Sequence, residues 1–297
     1  MKILLTGPTG FIGAAFARAA LLRGHQIAGL AVPGESLPRD LSTHPGVTWL
    51  RGTLQDAPWS DITAFQPQTC VHTAWITTPG VYLESPHNEA FRDASLGFIT
   101  RLRDLGVGHV LSLGTCIEYQ LSDQPLSETI TPTQPPTLYA RCKDQLRQAL
   151  EALAARSGLG VCWARVFYPY GPGEHPSRLC SSLLRQIAAG QKVLLKTPDS
   201  RKDYIYIGDL AAALAVVVEK KFRGPINLGT GSGVAVRQIA AYLGRSLGKE
   251  DLIDIQNPPA PDPFPSVVAD ASRLKSLGWR QAWSLEQGLD ILIKNLR

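Results

Sequence analysis

Two hydrophobic rhythms alternate along the first half of the chain. Short, nearly unbroken apolar runs predict strands over 2–6 (KILLT), 26–32 (QIAGLAV), 47–52 (VTWLRG), 69–74 (TCVHTA), 109–114 (HVLSLG) and 161–167 (VCWARVF). Between them, apolar residues spaced three and four apart predict helices over 11–23, 88–105 and 139–155. The strand runs are apolar throughout rather than alternating, so both of their faces should be covered. Helices on both sides of a parallel sheet provide that cover.

Past residue 168 the rhythm changes. Pro and Gly punctuate 169–176, and helical spacing follows over 177–189, 209–219 and 236–247. The runs KVLLK, YIYI and PINLG predict short strands, NPPAPDPFP (257–265) predicts a loop, and the chain ends in an apolar helical pattern. A smaller α/β lobe is expected from this half.

Composition narrows the reading. Of 297 residues, 44% are apolar and 19% charged, which argues against extended disorder. The net charge of +5 is spread along the chain with no Lys/Arg-rich run, so nucleic acid is not an expected partner and an anionic small ligand is. Five cysteines form neither a CxxC pair nor a Cys/His metal spacing, which predicts reduced thiols and no metal site. Gly7, Pro8 and Gly10 break the opening apolar run, and no stretch approaches the roughly 20 residues of a membrane span. A cytoplasmic location without membrane attachment is expected.

The segment Gly7-Pro8-Thr9-Gly10-Phe11-Ile12-Gly13 directly follows the first predicted strand and opens the first predicted helix. Glycine permits a tight turn there, and a helix N-terminus offers free N–H groups and partial positive charge to a phosphate. Downstream, Tyr139-Ala140-Arg141-Cys142-Lys143 places a phenol and an amine four apart, on one helix face. The ammonium should lower the phenol's pKa from near ~10 toward the working range. With this GxxGxxG and YxxxK pair, the chain resembles the extended short-chain dehydrogenase/reductase family, of the NAD-dependent epimerase/dehydratase type that modifies nucleotide sugars. The resemblance extends to the closing Leu277-Gly278-Trp279 and Leu285–Leu289 segments.

It implies a Rossmann-type α/β fold: a doubly wound parallel sheet with a smaller α/β substrate lobe. Residues 1–168 would form the dinucleotide-binding domain and 169–297 mainly the substrate-binding lobe, with segments near 203–230 as candidates to return to the large sheet. Gly7, Thr9, Gly10, Phe11, Ile12 and Gly13 would hold the pyrophosphate of NAD(H) or NADP(H). Thr53 and Leu54 would lie beside the adenine, and His72 and Ala74 under the nicotinamide. The acid that usually ends the second strand and selects NAD is replaced by Ala31, and the cation noted nearby is Arg39. That substitution leans the expectation slightly to NADP(H).

The resemblance further implies that Thr115, Tyr139 and Lys143 are catalytic, with the Thr115 hydroxyl orienting the reacting oxygen and Lys143 also binding the nicotinamide ribose. Related dehydratases carry an Asp-Glu pair directly after that Thr. Cys116 and Ile117 stand there instead, which disfavours dehydration. Arg201 and Lys202, in an Arg-Lys-Asp-Tyr segment, and Arg178 would meet a nucleotide-diphosphate sugar. Cys116 and His175 form a weaker pair for epimerisation beside a ketone. The expected activity is reduction of a 4-keto nucleotide-activated deoxysugar. The alternatives are a 4-epimerase with retained NAD, and a non-catalytic dinucleotide sensor. A homodimer is compatible with the family pattern.

Overall fold

The computed structural model describes residues 1–296. Its first half runs β1 (Lys2–Thr6), α1 (Phe11–Leu22), β2 (Gln26–Ala31), β3 (Val47–Arg51), α2 (Trp59–Phe65), β4 (Thr69–His72), α3 (His87–Asp104), β5 (His109–Thr115), α4 (Leu138–Ser157) and β6 (Gly160–Val166). The second half adds β7 (Tyr168–Tyr170), α5 (Leu179–Ala188), β8 (Val193–Leu195), β9 (Arg201–Lys202), β10 (Tyr204–Tyr206), α6 (Ile207–Glu219) and β11 (Gly224–Leu228). It closes with β12 (Val234–Ala235), α7 (Val236–Leu247), β13 (Ile253–Ile255), β14 (Ser266–Val267), α8 (Ser272–Ser276) and α9 (Leu285–Leu296).

Seven strands form one sheet in the order β3-β2-β1-β4-β5-β6-β11, every pair parallel. The apolar runs are continuous because each strand face meets its own helical layer. Ile3 and Leu5 join α1 and α6 through Phe16, Leu210 and Leu214. Leu4, between them, joins α3 and α4 through Phe98, Leu102 and Leu146. The same two-residue alternation sends Leu111 to the first layer and Val110 to the second. Each such side chain contributes on the order of 1.5–3 kcal/mol by leaving water. A third cluster, with Leu184, Ile187, Ile239, Leu243 and Leu289, packs α5, α7 and α9 together.

Several local expectations shift. β4 ends at His72, because Thr73 turns its hydroxyl onto the Thr6 carbonyl (2.7 Å) instead of extending the strand. The YIYI run breaks at Ile207, which begins α6. The short elements α2 and β7 carry too few turns or alternations to register as a period.

The chain fills β1-β2-β3 outward, then returns to place β4 on the other side of β1. Strand order reverses between β1 and β4, and a crevice opens beyond their C-terminal ends, where α/β sheets bind ligands. No described helix is long and apolar enough to cross a membrane.

Candidate active site

A cleft of about 1460 Å³ occupies that crevice and reaches the second half of the chain. Gly7, Thr9, Gly10, Phe11, Ile12 and Gly13 form its floor. Gly7 sits at φ +66°, and a Cβ on Gly13 would overlap the Gly7 carbonyl oxygen, so the turn and α1 close on each other only with glycine at both places. A Cβ on Gly10 would meet only the Gly7 oxygen at 3.5 Å, leaving the turn's upper face open. The first N–H groups of α1 have no intrahelical acceptor, and this open face beside them fits a pyrophosphate.

Thr53 and Leu54 line the same end of the cleft, where the Thr53 hydroxyl accepts the Asp56 N–H at 2.9 Å. The turn beyond β2 supplies an acid. Glu35, from the turn beyond Ala31, lines the cleft and accepts the Thr9 hydroxyl at 2.6 Å. Ala31 itself carries no acid, as expected; the acid comes from beyond the strand, and Arg39 does not line the cleft.

Ala74 lines the cleft, but His72 does not. The His72 ring is buried, with Nδ1 2.8 Å from the Thr6 hydroxyl and Nε2 2.9 Å from that of Ser95. Burial, with the Lys143 charge adding to it, pushes its pKa down to about 3. His72 is therefore a neutral tie between β4, β1 and α3 rather than a cofactor contact. It acts at one remove, since Thr6 accepts the Ala74 N–H at 3.2 Å.

Thr115, Tyr139 and Lys143 share one wall. The Thr137 hydroxyl caps α4 by accepting the Ala140 N–H (3.2 Å), which sets Tyr139 in the first turn and Lys143 one turn on. The expected lowering of the Tyr139 pKa by Lys143 is not found. Burial raises it, Tyr82, Glu118 and Cys116 add to the rise, and the Thr115 hydroxyl opposes it. The amine instead donates to the Leu113 carbonyl (2.9 Å) and stands 3.7 Å from the Trp75 ring centre, against 6.0 Å for the Tyr139 ring. Burial pulls the Lys143 pKa down to about 7, with Glu118 opposing.

Beneath this wall, Glu118 accepts the Thr115 N–H (2.7 Å), the Trp163 indole N–H (2.9 Å) and the Arg165 Nε–H (2.8 Å). Arg165 also donates to the Tyr119 hydroxyl (3.0 Å), which donates to Asn227 (2.8 Å). This network fixes the backbone of Thr115 at the end of β5.

Of the expected cations, Arg178 and Lys202 line the cleft and Arg201 does not. Neighbours on a strand face opposite sides, so β9 sends Arg201 outward to the Gly233 carbonyl (3.3 Å). Lys202 gives its ammonium to Ser200 (2.6 Å) and the Phe264 carbonyl, with Asp262 at 3.8 Å. Cys116 and His175 both line the cleft. Burial, with Asp203 and Glu118 nearby, lifts the Cys116 thiol to about 12, so it is neutral. Trp75 and Tyr82 join the wall from a loop that carries no periodic signal, and no sequence pattern points to them. Tyr82 meets the Tyr139 ring edge-on at 4.9 Å, and Trp75 donates to Asn88 at 2.8 Å.

Comparison with known proteins agrees with this geometry. UDP-glucose 4-epimerase of Corynebacterium glutamicum is 27% identical over 94% of this chain and 90% of the relative. The dTDP-4-dehydro-6-deoxyglucose reductase of Escherichia coli is 24% identical over 99% of this chain and 97% of the relative. Among solved structures, the Thermus thermophilus UDP-glucose 4-epimerase in complex with NAD superposes with a TM-score of 0.85 at 26% identity, covering 100% of this chain and 99% of that one. The pattern of the NAD dependent epimerase/dehydratase family matches residues 3–229. With a parallel sheet of Rossmann order and a glycine turn at its switch point, this chain belongs to the NAD dependent epimerase/dehydratase family and is an enzyme of that kind.

Proposed function

We propose that the chain reduces a 4-keto group on a nucleotide-diphosphate deoxysugar, using a nicotinamide dinucleotide. The observation that carries this reading is the convergence of Thr115, Tyr139 and Lys143 on one wall of the cleft, where the Tyr139 phenol can meet a carbonyl oxygen. A protonated phenol is ready to give a proton to a carbonyl oxygen that is gaining charge.

The glycine turn would hold the pyrophosphate, Thr53 and Leu54 the adenine end, and Lys143 the nicotinamide ribose. Bound there, the dinucleotide supplies a hydride to the sugar carbon. Thr115 would orient the oxygen through its hydroxyl, and Tyr139 would protonate it. Arg178, which lies over the Tyr82 ring at 5.5 Å, and Lys202 would face the diphosphate. Neither Cys116, a neutral thiol, nor Ile117 supports dehydration.

A 4-epimerase is the second reading, favoured by the likeness to epimerases over nearly the whole chain. Incubating the purified protein with a dTDP- or UDP-4-keto-6-deoxysugar and reduced dinucleotide separates the two. Stoichiometric loss of nicotinamide absorbance with formation of the alcohol is expected. Retained cofactor, with interconversion of two 4-hydroxy epimers and no net consumption, would replace this reading with the second.

A further inference from the structure

We propose that Glu35 reads the adenosine ribose and makes the site select NAD(H) over NADP(H), an assignment that rests on the dinucleotide reading above. The strand position where this family places its acid is Ala31, which is buried and has no polar group. The carboxylate arrives by another route. Val32-Pro33-Gly34-Glu35 forms a tight turn, with the Glu35 N–H bonded to the Val32 carbonyl at 3.1 Å and Gly34 at φ +82°. Proline at the second place and a positive-φ glycine at the third are the signature of a type II turn. The turn folds Glu35 back over the end of β2.

There the carboxylate is held in place. One oxygen accepts the Thr9 hydroxyl of the glycine turn at 2.6 Å, and the other accepts the Val32 N–H at 3.3 Å. Arg51, at the end of the neighbouring β3, donates to the Val32 carbonyl (3.2 Å) and the Glu35 carbonyl (2.9 Å), pinning the turn from outside. A carboxylate has about four acceptor positions, and these contacts use two. The remaining capacity borders the cleft beside Thr9, Gly52 and Thr53, and suits the two hydroxyls of an unmodified ribose.

A 2′-phosphate in that place would set a second anion against Glu35. The cations near it offer little relief. Arg39 is not part of the cleft wall, and Arg51 is engaged by the Val32 and Glu35 carbonyls. Arg18 is paired with Asp40 at 2.6 Å. Like charges juxtaposed in a binding site cost affinity, and here the protein's own fold supplies the repelling one.

The test is direct binding, read by quenching of tryptophan fluorescence, of NADH and NADPH to the full chain and to Glu35→Gln. The wild type should bind NADH roughly tenfold or more tighter than NADPH. Glu35→Gln, an exposed turn substitution, should erase most of that ratio, chiefly by gaining affinity for NADPH. Equal or tighter NADPH binding by the wild type, or an unchanged ratio in the variant, would overturn the assignment and leave the dinucleotide site standing. Binding of neither would overturn the site reading, and this assignment with it.

Discussion

Two buried cations border the end of β5. Lys143 reaches the carbonyl of Leu113, and Arg165 is registered against Gly114. Both are 3% exposed. Arg165 is ion-paired: Glu118, itself 0% exposed, takes its Nε–H, and Tyr119 takes an Nη1–H. Burial pulls the guanidinium down, but Glu118 and Tyr119 more than offset it, and its pKa ends above its ordinary value. Lys143 has a carbonyl and the face of Trp75, with no ion pair among the described residues, and its pKa falls. Pairing turns a buried charge into a rivet. Leaving one without a counter-ion keeps it responsive to whatever enters the cleft.

The largest effect expected from this contrast is chemical. Tyr139→Phe removes the proton donor on the Lys143 side and should lower turnover roughly 10²–10⁴-fold, with dinucleotide binding and thermal unfolding little changed. Undiminished turnover in a steady-state assay would end the proposed mechanism. On the paired side, Glu118→Ala strands a buried guanidinium and should cost about 3–5 kcal/mol of stability by urea unfolding. Glu118→Gln, which keeps the side-chain volume and one acceptor oxygen for either Arg165 or Thr115, should cost less. A Glu118→Ala protein as stable as the wild type would mean that the pair is not the rivet described.

The smallest effect per step, and the most diagnostic, concerns pH, at no more than about 1.4 kcal/mol per pH unit. The Lys143 amine titrates near its ordinary 10.5 when unfolded and near about 7 when folded. Between those values the unfolded chain holds the extra proton, so stability should rise with pH across that window. Below about 7 both states are protonated and the slope from this group vanishes. Lys143→Met should flatten the rise, measured as urea midpoints over a pH series. An identical slope in the variant would show that the amine is not desolvated in the fold.

The legible parts of this site are those carried by short-range rules. The glycine turn, the four-residue spacing of Tyr139 and Lys143, and Thr115 at the end of an apolar run all lie on elements whose period is written locally. The cleft gathers all of them. His72 and Arg201 mislead for a related reason. A strand residue's side is set by the pleat and by what packs there, and neither is recorded in a strand whose ends are uncertain. Glu35 lies four residues beyond Ala31, outside the strand where an acid is expected, although the Pro33-Gly34 pair already announces a turn back.

By itself, then, the sequence determined the parallel sheet, the strand–turn–helix that opens it, and the residue types capable of proton transfer. These follow from hydrophobic period and backbone geometry, which act within a few residues. Only the tertiary structure decided which charges are matched, that burial raises the Tyr139 pKa, and that Glu35 stands against the glycine turn. Those are properties of desolvation and of distance between segments remote in the chain, such as Glu118 with Arg165 or Thr9 with Glu35. Such distances are set by the way the layers pack, and no local pattern records them.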